Sequence, residues 1–200
     1  GIFGAVGYVY AIGKYEVTAG QYAVFLNAVA ATDPYALYDV RMWMHAEGCR
    51  IERTGLPGSY TYSIALDWAN RPVNFISWGD AARFANWLHN GQPTGPQTAS
   101  TTEDGAYTMI VESYPGTIIQ RNAEARFWLP NDDEWYKAAY YKGGGLNSGY
   151  WLYPTAADAL PIQALVDGPY DAVASIDGDS DRPLLLGVDQ NRKVRFFGGD

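Results

Sequence analysis

Three times along its 200 residues the chain spells out the same helix-opening chemistry. Thr18 with Gln21, Ser77 with Asp80 and Asn131 with Glu134 each pair a short oxygen-bearing side chain with a longer acceptor three residues on. In that spacing the first side chain accepts from the backbone N–H at the third helical position, and the second reaches back to the cap. After Thr18, Tyr22, Phe25, Leu26 and Val29 recur with helical period, and Val17 can staple against Tyr22. After Ser77 the packing stripe reads Trp78, Ala81, Ala82, Ala85 and Leu88, closed by Asn90 and Gly91. After Asn131, Asp132 and Asp133 favour the positive end of the helix dipole, Trp135, Ala138 and Ala139 face inward, and Lys142 and Gly143 close the segment. The spacing therefore predicts three short amphipathic helices. The acids at 132–134 are read as helix initiators that need no catalytic role.

The rest of the chain is turn-rich. Tyr8 to Val17, "YVYAIGKYEV", alternates, with Val9, Ala11, Tyr15 and Val17 on one face, and predicts a strand. Residues 33–71 offer turns and short strands, "SYTYSI" and "GAYTMIVES" read as hairpin strands, and 91–104 reads as a polar surface loop. Few helices, many turns and scattered aromatics point to an α+β domain in which loops carry much of the volume.

Charge narrows the partners. Acidic residues outnumber basic ones 22 to 14, for a net charge of −8, and no basic cluster offers a phosphate-neutralising surface, which argues against nucleic acid. No apolar run reaches the length of a membrane span, so no membrane insertion is expected. The apolar start lacks a basic leader and a Met, and is read as a mature or excised end rather than a signal peptide. The Tyr/Trp/Gly-rich, lysine-poor composition suggests an exported bacterial protein, secreted or periplasmic. Cys49 is the single cysteine, which excludes an intrachain disulfide. His45 stands four residues before it, a spacing that on a helix would aim both at a metal; a zinc site wants four ligands, and no others lie nearby in sequence. The reading there is an incidental histidine and a thiol without metal. "KGGG" at 142–145 follows a helix instead of preceding one, so it is a C-terminal turn and not a phosphate loop. The aromatics at 128, 135, 136, 140, 141, 150, 151 and 153 are read as packing residues before a sugar platform.

Three segments together resemble one family. "YEVTAGQYAVFLNAV", "RPVNFISWGDAARFANWL" and "ARFWLPNDDEWYKAAYYKGGG" are similar in content and order to the formylglycine-generating enzyme, or sulfatase-modifying factor, family. They span Tyr15 to Gly145. The third departs from the family pattern, which has Arg at the position of Phe127 or Trp128 and Thr at Asn131. The resemblance implies a C-type-lectin-like fold with little regular secondary structure. In active members it implies paired cysteines that oxidise a substrate cysteine to formylglycine with copper and oxygen, and structural calcium. Here the later "GNVWEW"-type segment and the cysteine pair have no counterpart, and no catalytic role passes to Cys49.

The tail reads differently. "LLLGV" and "KVRFF" around "DQNR" predict a hairpin, preceded by Asp177, Asp179 and Asp181. This resembles a blade unit of the FG-GAP/VCBS-type propeller repeats, whose acidic loop binds calcium through carboxylates. Aligned on the strand, only Asp177 and Asp179 match ligand positions, Asp181 is out of register, and Ser175 and Pro183 fall where the first and last ligands belong, so the segment is read as a solvated acidic turn in preference to a calcium site. Equally, "KVRFFGGD" is similar to a worn form of the strand that closes the formylglycine-generating fold. The expected organisation is a sulfatase-modifying-factor-like domain over 1–155, incomplete at its C-terminus, and a hairpin tail over 156–200. The expected function is a member of that family without formylglycine-generating activity. Its rivals are a ligand-binding or adhesive module, taking a protein, peptide or carbohydrate, and a secreted mosaic with a calcium-binding repeat.

Overall fold

The computed structural model describes residues 3–109, 118–144 and 149–160, together with the backbone of three strands between 172 and 198. The chain divides into two compact units, Val17–Leu129, and Gly1–Glu16 with Pro130–Asp200.

In the Val17–Leu129 unit, α1 (Ala19–Val29) starts on the predicted capping box: Thr18 Oγ1 accepts from the Gln21 N–H, and Gln21 Oε1 accepts from the Thr18 N–H. The next two N–H groups leave the helix for a neighbouring loop, Ala19 to the Arg71 carbonyl at 2.8 Å and Gly20 to the Ala69 carbonyl at 2.9 Å. Gly20 is required there, because a Cβ would stand 2.8 Å from the Ala69 oxygen. Tyr22, Phe25, Leu26 and Val29 are buried as their period predicts. Phe25 meets Phe84 edge-on at 5.3 Å and the Trp87 ring at 5.3 Å. A short helix α2 (Arg41–Met44) and the antiparallel hairpin β1 (Ile51–Thr54) and β2 (Thr61–Ile64) complete this core with Leu37, Met42 and Ile51.

Helix α3 (Trp78–His89) also opens on its predicted box, yet its buried face is not the predicted stripe. Ala82 and Ala85 are inside, but Trp78 is exposed and Leu88 half-buried, while Arg83, Asn86 and Asp80 are buried with them. The partners of that polar face come from the segment predicted as a solvent loop. Residues 99–103 form a π-helical turn, Ala99–Glu103, that buries Thr101 and Thr102, and Gln97 is buried just before it.

In the other unit, α4 (Asp132–Tyr140) carries the third box, with Asn131 Oδ1 accepting from Glu134 and Glu134 Oε2 accepting from Asn131. The inward residue is Glu134, fully buried, whereas Ala138 is exposed and Trp135 half-buried. The predicted strand Tyr8–Val17 is not formed. The chain is irregular there, and the nearest pairing is a single bridge from Thr18 to Pro72 in the other unit's own fold. Val9 lies in solvent at 101% exposure, while Tyr8 and Tyr10, on the opposite side of the alternation, turn to α4. Alternation without a neighbouring strand specifies a face and no ladder. The predicted tail hairpin is formed: β4 (Pro183–Val188) pairs antiparallel with β5 (Val194–Gly198), and β3 (Ala172–Ile176) adds on the other edge of β4. Mixed short helices and small antiparallel sheets make the chain α+β.

Candidate functional site

Cys49 is the one residue through which this chain could offer thiol chemistry, and the fold has put it in the core. It follows the turn that ends α2, packs in the same cluster as Met42 and Ile51, and is 1% exposed. Its N–H donates to Asn74 Oδ1 at 3.0 Å, and Asn74 Nδ2 in turn donates to the Glu47 carbonyl, so the loop is pinned on both sides of the sulfur. Burial pushes the thiol above its ordinary range, offset only in part by hydrogen bonds from the surrounding backbone. A neutral, inaccessible thiol is a poor nucleophile and a poor metal ligand. His45 does not share its face. Helix α2 has ended at Met44, His45 is exposed with its ring against Phe75, and its Nδ1 accepts from the Glu47 N–H. Among the described residues no three His, Cys, Asp or Glu side chains gather as a metal-binding group.

The buried ions of α3 are structural. Arg83 Nε and Nη2 lie 2.9 and 3.0 Å from the Glu103 carboxylate, and Thr102 Oγ1 donates to the same carboxylate at 2.7 Å. The Tyr35 ring covers the Arg83 guanidinium at 4.3 Å. This fork-to-fork pair fixes the π-helical turn to the helix. Asp80 caps α3 through the Ser77 N–H at 2.7 Å, and burial raises its carboxyl above the usual range against the pull of those Ser77 bonds.

The stretch around α4 concentrates a second polar group. Glu134 Oε2 takes the Asn131 N–H and Oε1 takes the Tyr8 hydroxyl, while the Tyr10 hydroxyl donates to the Glu134 carbonyl at 2.5 Å. Asp133 Oδ1 accepts from the Gly4 N–H, Lys137 Nζ donates to the Val6 carbonyl, and the Tyr150 hydroxyl donates to the Gly4 carbonyl, each at 2.8 Å. Burial first, and then the charge of Glu134, raise the Tyr10 phenol. With both oxygens engaged in fixed bonds, the carboxylate anchors residues 4–10 on the helix. The aromatics of this unit pack on one another, as the sequence predicts. Tyr136 stacks on Tyr140 at 4.7 Å and meets Tyr150 at 5.0 Å, and Lys142, beside the Trp151 ring, pairs with Asp158.

Of the residues singled out from sequence, Asp177, Asp179 and Asp181 fall between β3 and β4 in the chain and lie outside the described residues. The buried Arg83, Asn86 and Glu134 escape a reading based on apolar period, although Tyr8 and Tyr10, two apart, carry a period-two signal for the face that meets Glu134.

Comparison with curated proteins and with solved structures gave no match. A family model does match: the sulfatase-modifying factor enzyme 1-like domain, over residues 7–167. That span begins before α1, takes in every helix among the described residues and the β1–β2 hairpin, and ends before β3. The match covers most of the chain, and the chain belongs to the sulfatase-modifying factor enzyme 1-like family.

Proposed function

We propose that this chain is a sulfatase-modifying-factor-like domain that does not itself generate formylglycine. The state of Cys49 carries the reading. The family's oxidation, as the resemblance implies it, runs on copper held by soft sulfur ligands, and a thiolate pair is the donor set that suits that metal. This chain has one cysteine, and its thiol is buried, held neutral and packed as a core residue. Copper does not fit these donors. Copper(I) titration followed by mass spectrometry on a cysteine-bearing peptide, with oxygen supplied, tests the reading. The expected result is no thiolate charge-transfer band and an unmodified peptide. Appearance of the aldehyde, or a band that disappears in Cys49→Ser, overturns it.

The short capped helices, the small hairpin and the long packed loops support a C-type-lectin-like frame as the finer description of the α+β fold. A ligand-binding role is the second reading. It is favoured by large side chains that the loops leave outside, Leu56 and Leu66 among them. Loops on a fixed frame are where binding surfaces are built. For the tail, the calcium reading on Asp177, Asp179 and Asp181 is tested by whether calcium raises the melting temperature and a chelator reverses it.

A further inference from the structure

We propose that the loop over residues 65–71 is an anion site, in which Arg71, over the Trp68 ring and with Arg50 near the same ring, receives a carboxylate of an acidic peptide. The proposal rests on the ligand-binding reading above and names its ligand class.

The loop is built to hold still. Ala65 N–H donates to the Arg50 carbonyl, Trp68 N–H to the Ala65 carbonyl and Arg71 N–H to the Trp68 carbonyl, which makes two successive turns. Its outer carbonyls, at Ala69 and Arg71, take the first N–H groups of α1. Both Arg50, at φ 61°, and Asp67, at φ 65°, occupy the left-handed region that residues with a Cβ rarely adopt. Such conformations persist where the surroundings over-determine them, and they concentrate at ligand clamps.

On this frame two positive charges meet one ring. The Arg71 guanidinium lies 3.9 Å from the Trp68 ring centre and that of Arg50 lies 5.3 Å from it. The two cations are therefore no further apart than the sum of those distances. Arg50 is anchored from behind, donating to the Trp43 carbonyl at 2.8 Å and to the Ala46 carbonyl at 2.9 Å. The Arg71 side chain has no hydrogen-bond acceptor and no carboxylate partner among the described residues, and Asp67, in the same loop, pairs with neither arginine. The planar guanidinium, held over the ring, presents its N–H donors as a rigid fork. Arg50 spends Nη1 and Nη2 on those carbonyls and so adds positive charge to the site, while Arg71 supplies the free donors; like charges near one ring without a carboxylate partner favour a bound anion.

The Arg71 fork fits a carboxylate or a phosphate, either of which it can bind through two parallel hydrogen bonds. A peptide is favoured over a free anion by Leu66, 88% exposed in the same loop, where an apolar neighbour of the acidic residue can cover it. Overall charge does not draw an acidic ligand to a chain of −8, so the attraction has to be local and strongly salt-dependent.

The test is fluorescence anisotropy of a labelled peptide of alternating Glu and Leu, against a matched Gln–Leu peptide, with inorganic phosphate and a sulfated glycan as competitors. The expected result is binding of the Glu peptide that weakens with salt, with Arg71→Gln lowering affinity roughly ten- to a hundredfold. Arg71→Lys keeps the charge and loses the fork, so it should weaken binding several-fold; it also decides the matter if Arg71→Gln fails to fold. Equal binding of the two peptides, or affinity unchanged in both Arg71 variants, overturns the site. Binding of the sulfated glycan or of phosphate without the peptide overturns the assigned ligand while leaving the ligand-binding reading standing; loss of every ligand removes both.

Discussion

Asn86→Leu should be among the most damaging single substitutions in the Val17–Leu129 unit, and its cost should come from hydrogen bonds instead of volume. Asn86 lies on α3 at 0% exposure. Its Nδ2 donates to the Thr102 carbonyl at 2.7 Å and the Tyr107 carbonyl at 2.8 Å, and its Oδ1 accepts from the Tyr107 N–H at 2.7 Å. One side chain thus satisfies three backbone groups from two stretches that have no sheet to satisfy them. Leucine fills nearly the same space, so no cavity term enters, but three buried polar groups lose their partner. At about 1–3 kcal/mol for each stranded group, discounted because local shifts rescue some of them, the loss should be about 3–5 kcal/mol. That is a large share of the roughly 5–15 kcal/mol that holds an ordinary domain together.

The structure supplies its own control. Asn27 makes the same pattern on α1, Nδ2 to the Ala23 and Tyr62 carbonyls and Oδ1 from the Tyr62 N–H, at 2.9, 2.8 and 3.0 Å. Asn27, however, is exposed, so water can replace it. Asn27→Leu should cost about 1 kcal/mol, the net worth of exchanging protein partners for solvent. Urea unfolding followed by tryptophan fluorescence measures both, with equal slopes confirming a common unfolding reaction. If the two variants lose the same stability, or if Asn86→Leu stays within about 1 kcal/mol of the parent, burial is not what sets the cost and the reasoning fails.

Two further outcomes follow from single contacts. Gly20→Ala should lower stability by about 1–2 kcal/mol despite alanine's better helix propensity, because the new Cβ meets the Ala69 carbonyl at 2.8 Å; a rise in melting temperature would show that the loop gives way. Asp80 holds its proton more tightly folded than unfolded, because burial raises its carboxyl. The folded state then binds more protons as pH climbs above the ordinary aspartate value of about 3.9, and stability falls until the raised folded value is passed. Asp80→Asn should remove that decline from a plot of unfolding free energy against pH, and an identical slope in the variant would reject the assignment.

The helices were legible because capping is local chemistry. Thr18, Ser77 and Asn131 each find their partner three residues away, and no distant contact can overrule that bond. The face each helix buries was legible in full only on α1, where Tyr22, Phe25, Leu26 and Val29 meet an apolar neighbourhood, and in part on α3, where Ala82 and Ala85 are inside. On α3 the neighbours are a π-helical turn and a loop, whose exposed carbonyls and Glu103 need donors, so Arg83 and Asn86 turn inward and Trp78 turns out. Period cannot report this, because the partners are far along the chain. The same holds for Glu134, whose capping role is local and whose burial depends on Tyr8. The Trp68 platform lay in a stretch that sequence describes only as irregular. Its arginines become a pair when the turns at 65–71 and the strained backbone of Arg50 bring them to one ring.

These polar locks also show that the fold of the Val17–Leu129 unit does not depend on its thiol. In the Val17–Leu129 unit the loops are tied by Asn27, Asn74, Asn86 and the Arg83–Glu103 pair, and none of those ties involves thiol chemistry. Cys49 enters as a small body packed beside Met42 and Ile51, with its Sγ 4.0 Å from the Asn74 carbonyl oxygen. A sulfur used in that way cannot be recruited to a metal without opening the core around it, so the packing that keeps the fold stable is the same packing that keeps the thiol silent. Loops fixed by buried amides leave their outer side chains unconstrained by stability. Arg71 and Trp68 stand among those outer side chains, half-buried on a loop whose backbone is tied to α1.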